Sequence, residues 1–233
     1  MIAPERIRVL VVGHGRMGRL VETLAPEYDF EVVGIVTRSN AGTPSDWPVA
    51  DVAIDFSTGD AVPANARRLL DCDTNLVIGT TGWQSAEASV REYAAAKQAG
   101  VVAAPNFAPG VNLFLALVAR AGELFGPRPE FGAWLHELHH AAKRDAPSGT
   151  ALAMQAGLER AGFGRSLNVA STRAGSIPGT HTLGFDAAAE TITLTHTTRD
   201  RSVFARGALE AARWIHGRQG WFTMLDVLGL VGS

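Results

Sequence analysis

The feature that most constrains this chain is Gly13-His14-Gly15-Arg16-Met17-Gly18, set between the apolar run Ile7–Val12 and the helically spaced Met17–Leu24. Glycines at these intervals permit a tight turn, let backbone N–H groups approach a pyrophosphate and seat it on a helix N-terminus. A glycine turn without a ligand shares the spacing, but the strand–turn–helix setting favours a dinucleotide-binding βαβ unit. Gly13, His14, Gly15, Arg16, Met17 and Gly18 are therefore candidate cofactor contacts.

The runs that follow agree with that setting. Phe30–Val36, Val52–Phe56, Leu76–Ile78 and Val101–Ala104 are short, apolar and strand-like, and they alternate with helical spacing over Ala61–Leu70 and Ser85–Gln98. Strand and helix in alternation predict right-handed crossovers and a doubly wound, Rossmann-like parallel sheet in an α/β fold. Beyond Pro109 the pattern changes to a helix over Val111–Leu124, a strand over Phe131–His139 and a helix over Ser148–Ala161. Glu190–Thr198 then alternates, with Ile192, Leu194 and His196 on one face and Thr191, Thr193, Thr195 and Thr197 on the other. A sheet with one polar face belongs to an antiparallel or mixed layer, which predicts a second α+β domain. We place it at 109–207, with residues 1–108 and 208–233 forming the dinucleotide-binding domain and hinges near Phe107–Gly110 and Arg206–Ala208. Ser39–Pro48 reads as a surface loop.

An acid near the end of the second strand would hold the adenine ribose hydroxyls, yet the chain carries Thr37-Arg38-Ser39-Asn40 there. Thr37 and Arg38 suit a 2′-phosphate, which points to NADPH ahead of NADH, although a solvated loop arginine remains an open reading of Arg38. Gly79-Thr80-Thr81 and Ala104-Pro105-Asn106-Phe107 follow the fourth and fifth strands, at the edge where such sheets bind ligands. Their backbone groups are candidates for the nicotinamide ribose and carboxamide.

Composition narrows the partners. A net charge of −2 gives no electrostatic reason to expect nucleic acid or an anionic membrane. Cys72 is the only cysteine, so no disulfide forms within the chain and a reducing, cytoplasmic location is expected. Glu5, Arg6 and Arg8 interrupt any secretion leader, and no apolar run approaches the ~20 residues of a membrane span.

The densest polar cluster is His139-His140, Lys143 and Asp145-Ala146-Pro147-Ser148-Gly149-Thr150. Ser148 is a good N-cap, and a helix N-terminus beside a lysine and histidines makes an anion site. Taken singly, these residues fit a capped surface helix with solvated histidines. His136-Glu137-Leu138-His139-His140 also matches the HExxH zinc-hydrolase motif, with Glu159 a conceivable third ligand. That chemistry needs a helix and leaves the glycine loop unexplained, so no metal is expected. A different two-domain NAD(P) amino-acid dehydrogenase, or a nucleotide-sensing module, would share the glycine loop without needing this cluster.

The run Glu137-Leu138-His139-His140-Ala141-Ala142-Lys143-Arg144-Asp145-Ala146-Pro147-Ser148-Gly149-Thr150-Ala151 resembles the signature of the dihydrodipicolinate (4-hydroxy-tetrahydrodipicolinate) reductase family. The likeness extends to Asp55-Phe56-Ser57, Gly79-Thr80-Thr81-Gly82, Pro105-Asn106-Phe107, Arg173-Ala174-Gly175, His181, His196 and Asp226-Val227-Leu228-Gly229. It implies NAD(P)H-dependent reduction of a cyclic imine dicarboxylate to tetrahydrodipicolinate on the diaminopimelate route to lysine. His139 would be the acid–base histidine and Lys143 a proton donor, with His140, Ser148, Gly149 and Thr150 holding the substrate carboxylates. The resemblance also implies a homotetramer assembled through the second domain. The chain makes three departures from the family pattern: Ala141 and Ala142 replace basic residues, the ribose acid is absent, and Thr180 precedes His181 where an acid or other polar residue is common.

Overall fold

The structure is a computed structural model that describes residues 6–42 and 46–230. Residues 43–45 of the expected loop Ser39–Pro48 lie outside the described residues. The chain divides into two compact units, Met1–Pro109 with Ser202–Ser233, and Gly110–Arg201.

The first unit is built on β1 (Ile7–Val12), β2 (Phe30–Val36), β3 (Val52–Asp55), β4 (Asn75–Ile78), β5 (Gly100–Ala103) and β10 (Gly220–Phe222). These form one parallel sheet in the order β10-β5-β4-β3-β1-β2. Alternation along each strand feeds two cores. Val9, Val11, Ile54, Val77 and Val102 pack on one face with Val21 and Leu24 of α1 (Arg16–Leu24) and Leu209 and Ile215 of α6 (Ser202–Ile215). Leu10, Val12, Ala53, Leu76 and Ile78 pack on the other with Ala66 and Leu70 of α2 (Val62–Asp71) and Val90 and Ala94 of α3 (Glu87–Ala96). Strand order reverses between β1 and β3, and in open sheets that switch point is where the ligand crevice opens.

In the second unit β6 (Gly132–His139), β7 (Leu167–Arg173), β8 (Gly179–Ala187) and β9 (Glu190–Thr198) make a mixed sheet ordered β7-β6-β8-β9. One face is apolar: Ala133, Leu135, Leu183 and Phe185 pack against Phe114 and Val118 of α4 (Pro109–Phe125) and Met154 and Leu158 of α5 (Gly149–Arg160). The opposite face is lined with hydroxyls, and Thr182–Thr195 and Thr180–Thr197 pair across β8 and β9 at 3.0 and 3.1 Å. The strand over Glu190–Thr198 thus forms with the expected bounds, while β7, β8, β10 and the short helix α7 (Met224–Val227) are elements that periodicity did not reveal.

One expectation is corrected here. The segment Arg206–Ala208 is the interior of helix α6, and the chain re-enters the first unit at Ser202. Gly207 serves helix packing, because a Cβ there would lie 1.7 Å from the Phe107 carbonyl oxygen. His136-Glu137-Leu138-His139-His140 runs along a strand, so His136 and His140 cannot share a helical face and the HExxH geometry does not form. From the packing at Gly207 we expect Gly207→Ala to cost about 1–3 kcal/mol, the scale of overpacking. Its urea midpoint should fall accordingly, and an unchanged midpoint would contradict the close approach.

Candidate active site

In the first unit β1 ends at the glycine loop. Gly13 takes φ +90° with its N–H on the Val36 carbonyl at 2.8 Å, and a Cβ there would lie 2.5 Å from the Phe56 carbonyl oxygen. Gly18 lets α1 close on the loop, since its Cβ would lie 1.9 Å from the Gly13 carbonyl oxygen. Gly15 is the N-cap of α1 with no side-chain cap and open space where its Cβ would be. The first-turn N–H groups of α1 are thus left for an anion. A cleft of about 510 Å³ opens here, lined by Gly13, His14, Gly15, Thr37 and Arg38, and also by Arg19 and Phe56-Ser57-Thr58. An uncapped helix N-terminus, a glycine cradle and that volume fit a dinucleotide.

Other expected cofactor residues act differently. Met17 packs against the core, and Arg19, not Arg16, is the α1 arginine on the cleft. The His14 side chain is drawn to Glu22 at 2.7 Å, leaving its backbone for the loop. Thr37 closes a local turn, with its N–H on Asn40 Oδ1 at 2.6 Å and its hydroxyl 2.7 Å from Ser39 Oγ.

The loops after β3 and β4 are tied by Asp55, a buried carboxylate that sequence reasoning noted only as part of a resemblance. Its Oδ1 accepts from the Ser57 N–H at 2.8 Å, Ser57 Oγ at 2.6 Å and Thr80 Oγ1 at 2.8 Å, and its Oδ2 accepts from Asn65 at 3.0 Å. Thr80 is therefore a structural side chain, and Gly79 is needed because a Cβ would fall 2.2 Å from the Phe56 ring. Phe107 is buried edge-on to Phe56 at 6.4 Å between centroids, Ala104 is buried in the same core, and Asn106 accepts from the Ala108 N–H at 2.9 Å. Thr81 and Pro105 in the same loops are exposed.

The second unit builds its site from the register of its sheet. The face of β6 that is apolar at Ala133 and Leu135 turns polar at Glu137 and His139. Across the sheet Ser171, Glu137, His181 and His196 stand opposite one another, and Arg173 stands opposite His139. Directly opposed residues project to the same face, so Ser171 and His181 flank Glu137, Arg173 flanks His139, and His196 extends the row beyond His181. Glu137 is fully buried. Arg173 donates to both of its oxygens, at 2.6 and 3.0 Å, and donates again at 2.6 Å to the Asp145 carbonyl in the loop before α5. His139 Nδ1 bonds the same carboxylate.

Burial alone would push the Glu137 carboxyl up, but the bonds from Arg173, Ser171 and His139 outweigh it and hold it at about 2. Burial lowers the His139 pKa, with Glu137 opposing that shift. His181 sits edge-on to His139 with ring centroids 5.1 Å apart, and burial followed by the charge of His139 brings it down to about 4. Ser148 caps α5 by accepting from the Ala151 N–H at 3.2 Å and lies 2.9 Å from His181 Nε2. Lys143 is ion-paired with Asp145 at 2.7 Å. Gly149 and Thr150 form the first turn of α5, with open space around Gly149. His140 lies one residue past β6 and, among the described residues, is not joined to this hydrogen-bonded group. Glu137, His139 and His181 offer ligand atoms within 4.8 Å of one another, but a cation there would have to displace the Arg173 guanidinium.

Set beside known proteins, residues 7–107 match the N-terminal part and residues 110–228 the C-terminal part of dihydrodipicolinate reductase. The chain belongs to the dihydrodipicolinate reductase family. It is 37% identical to 4-hydroxy-tetrahydrodipicolinate reductase of Granulibacter bethesdensis, over 99% of this chain and all of the relative. It is 35% identical to that of Aquifex aeolicus, over 96% of this chain and 99% of the relative. A solved structure of dipicolinate-bound dihydrodipicolinate reductase from Paenisporosarcina shares the fold, with a TM-score of 0.81 at 20% identity over 95% of this chain and 99% of that one. A probable dehydrogenase of Thermotoga maritima aligns at a TM-score of 0.58 and 10% identity over 96% of this chain and 93% of that one. The chain is thus an oxidoreductase, a 4-hydroxy-tetrahydrodipicolinate reductase of the diaminopimelate route to lysine, and its first unit is a nicotinamide dinucleotide-binding fold.

Buried His181 gives this reductase an acid-sensitive stability. The unfolded chain binds a proton at an ordinary histidine near pH 6.5, whereas the folded protein resists it until about 4. The stability is present above 6.5 and is lost as pH falls through that window. Urea denaturation between pH 7 and 4.5 should show wild type losing on the order of 2 kcal/mol more than His181→Gln. Equal losses would contradict the buried neutral state.

Proposed function

We propose that His139 delivers the proton in this reductase, with Lys143 as its electrostatic and proton-donating partner. We further propose that His140, Ser148, Gly149 and Thr150 hold the carboxylates of the cyclic imine. The observation that carries this reading is the bond from His139 Nδ1 to a buried carboxylate neutralised by Arg173, beside the N-terminus of α5. With Nδ1 committed to Glu137, the proton that leaves is the one on Nε2, and Gly179 opposite leaves that ring edge its space. Nicotinamide bound in the first unit supplies the hydride. Negative charge then builds on the substrate, and His139, with a pKa drawn below the usual histidine value by burial, is tuned to quench it. A dianionic substrate competes with Asp145 for Lys143 and gains charge-assisted contacts at the helix N-terminus. That the Paenisporosarcina relative was solved with dipicolinate, a planar dicarboxylate, accords with such a site.

We assign the dinucleotide to the first unit and the substrate to the second. We infer a preference for NADPH, because Thr37 brings no repelling carboxylate and Arg38 and Arg19 line the cleft. We further infer a cytoplasmic homotetramer assembled through the hydroxyl-lined face of the second sheet. A single cysteine suits a reducing compartment, and no helix of the described residues is long and apolar enough to cross a membrane.

Purified protein, supplied with substrate generated from pyruvate and aspartate semialdehyde, should oxidise NADPH with a higher kcat/KM than NADH. Thr37→Asp with Arg38→Ala should reverse the order, and a clear NADH preference in the unmodified protein would overturn the cofactor assignment. His139→Gln should lower kcat by ~10²-fold or more with cofactor affinity retained. Near-wild-type kcat in that variant would remove His139 from the proton-delivery role.

A further inference from the structure

The two nitrogens of His181 have different surroundings. Nε2 lies 2.9 Å from Ser148 Oγ, whereas Nδ1 is buried without a hydrogen-bond partner, in a residue only 4% exposed. With its pKa near 4 the ring is neutral at working pH and carries its one proton on one nitrogen or the other. A buried N–H without a partner is rarer and costlier than an under-used lone pair, which places the proton on Nε2. Ser148 Oγ then accepts twice, from the Ala151 N–H at 3.2 Å and from His181 Nε2–H. A hydroxyl has two lone pairs and one proton. With both lone pairs engaged, the Ser148 proton is the one group of this hydroxyl left to donate to a ligand at the start of α5.

We propose that His181 is a positioning residue that fixes the Ser148 hydroxyl as a donor, so that the α5 N-terminus selects an ionised carboxylate of the ligand. The inference rests on the assignment of Ser148 to a substrate carboxylate. In the opposite tautomer Ser148 would donate to His181 and turn a lone pair toward the ligand, repelling the group it has to bind. The arrangement therefore works against ligand groups that donate: a carboxamide in place of that carboxylate turns one of its oxygens into an N–H and loses part of the fit.

The direct test is nitrogen-15 NMR of the histidines in the full-length protein at pH 7, with His181 signals assigned by their loss in His181→Gln. The Nε2–H tautomer is expected, and an Nδ1–H tautomer overturns the proposal. Calorimetry with dipicolinate provides the second arm. His181→Leu should weaken dipicolinate binding about tenfold or more, the scale for one hydrogen bond to a charged group, with NADPH affinity unchanged. Its effect should nearly vanish on a Ser148→Ala background, and His181→Gln, whose amide can donate in place of Nε2–H, should recover part of the loss. Wild-type affinity in His181→Leu, or additive losses in the double variant, would overturn the relay. Wild-type protein that neither binds dipicolinate nor turns over would instead sink the proposed function, and the tautomer measurement would still decide the state of His181.

Discussion

A carboxylate with no exposed surface cannot remain ionised unaided, and the second unit is organised around the solution to that problem. Glu137 stays charged because Arg173 bonds both of its oxygens, and the same carboxylate then holds His139. The guanidinium also grips the Asp145 carbonyl, so the acid and the loop that leads into α5 are located by one side chain. Buried ion pairs seldom add net stability, because desolvation offsets the attraction, but removing one partner costs about 3–5 kcal/mol. The pair is best understood as a device for orientation: it commits the Nδ1 edge of His139 to the carboxylate, and the charge of Glu137 raises the His139 pKa against burial.

The first unit solves a related problem with neutral donors. Asp55 ends β3 as a buried carboxylate that accepts from Ser57, Thr80 and Asn65, all of them neutral donors. Its task is to hold two loops still at the carboxyl ends of β3 and β4, and fixed dipoles suffice for that. On the role proposed for His139, Glu137 supports a histidine whose charge changes during turnover, and a counter-charge close to that histidine compensates the change. The two carboxylates show how the same residue type is matched to its work by what surrounds it.

Features set by local chemistry were legible in the sequence. The glycine loop, the Ser148 cap and the alternation of Glu190–Thr198 each depend on neighbours a few residues away, and each forms as expected. The features missed depend on register. Arg173 meets Glu137 only because β6 and β7 pair in parallel, and β7 carries too many polar residues to announce itself by periodicity. His181 joins the site because β8 sets it opposite Glu137, and Arg19, not Arg16, reaches the cleft because of where the first turn of α1 faces. The HExxH pattern, set aside from the sequence, is ambiguous for the opposite reason. A strand places Glu137 and His139 on one face and His136 on the other, and a five-residue pattern carries no information about which period applies.

The Glu137 carboxylate orients His139 and raises its affinity for the proton that we propose it delivers. The most direct test is the pH dependence of kcat in Glu137→Gln, which keeps the shape of the side chain and removes its charge. Because Glu137 raises the His139 pKa against burial, its loss lets that pKa fall, and an enzyme that needs protonated His139 loses activity at lower pH. The kcat at pH 7 should fall at least about tenfold, with the alkaline limb of the profile displaced toward acid and NADPH affinity unchanged. A variant with wild-type kcat and an alkaline limb in its original place would contradict this role of Glu137.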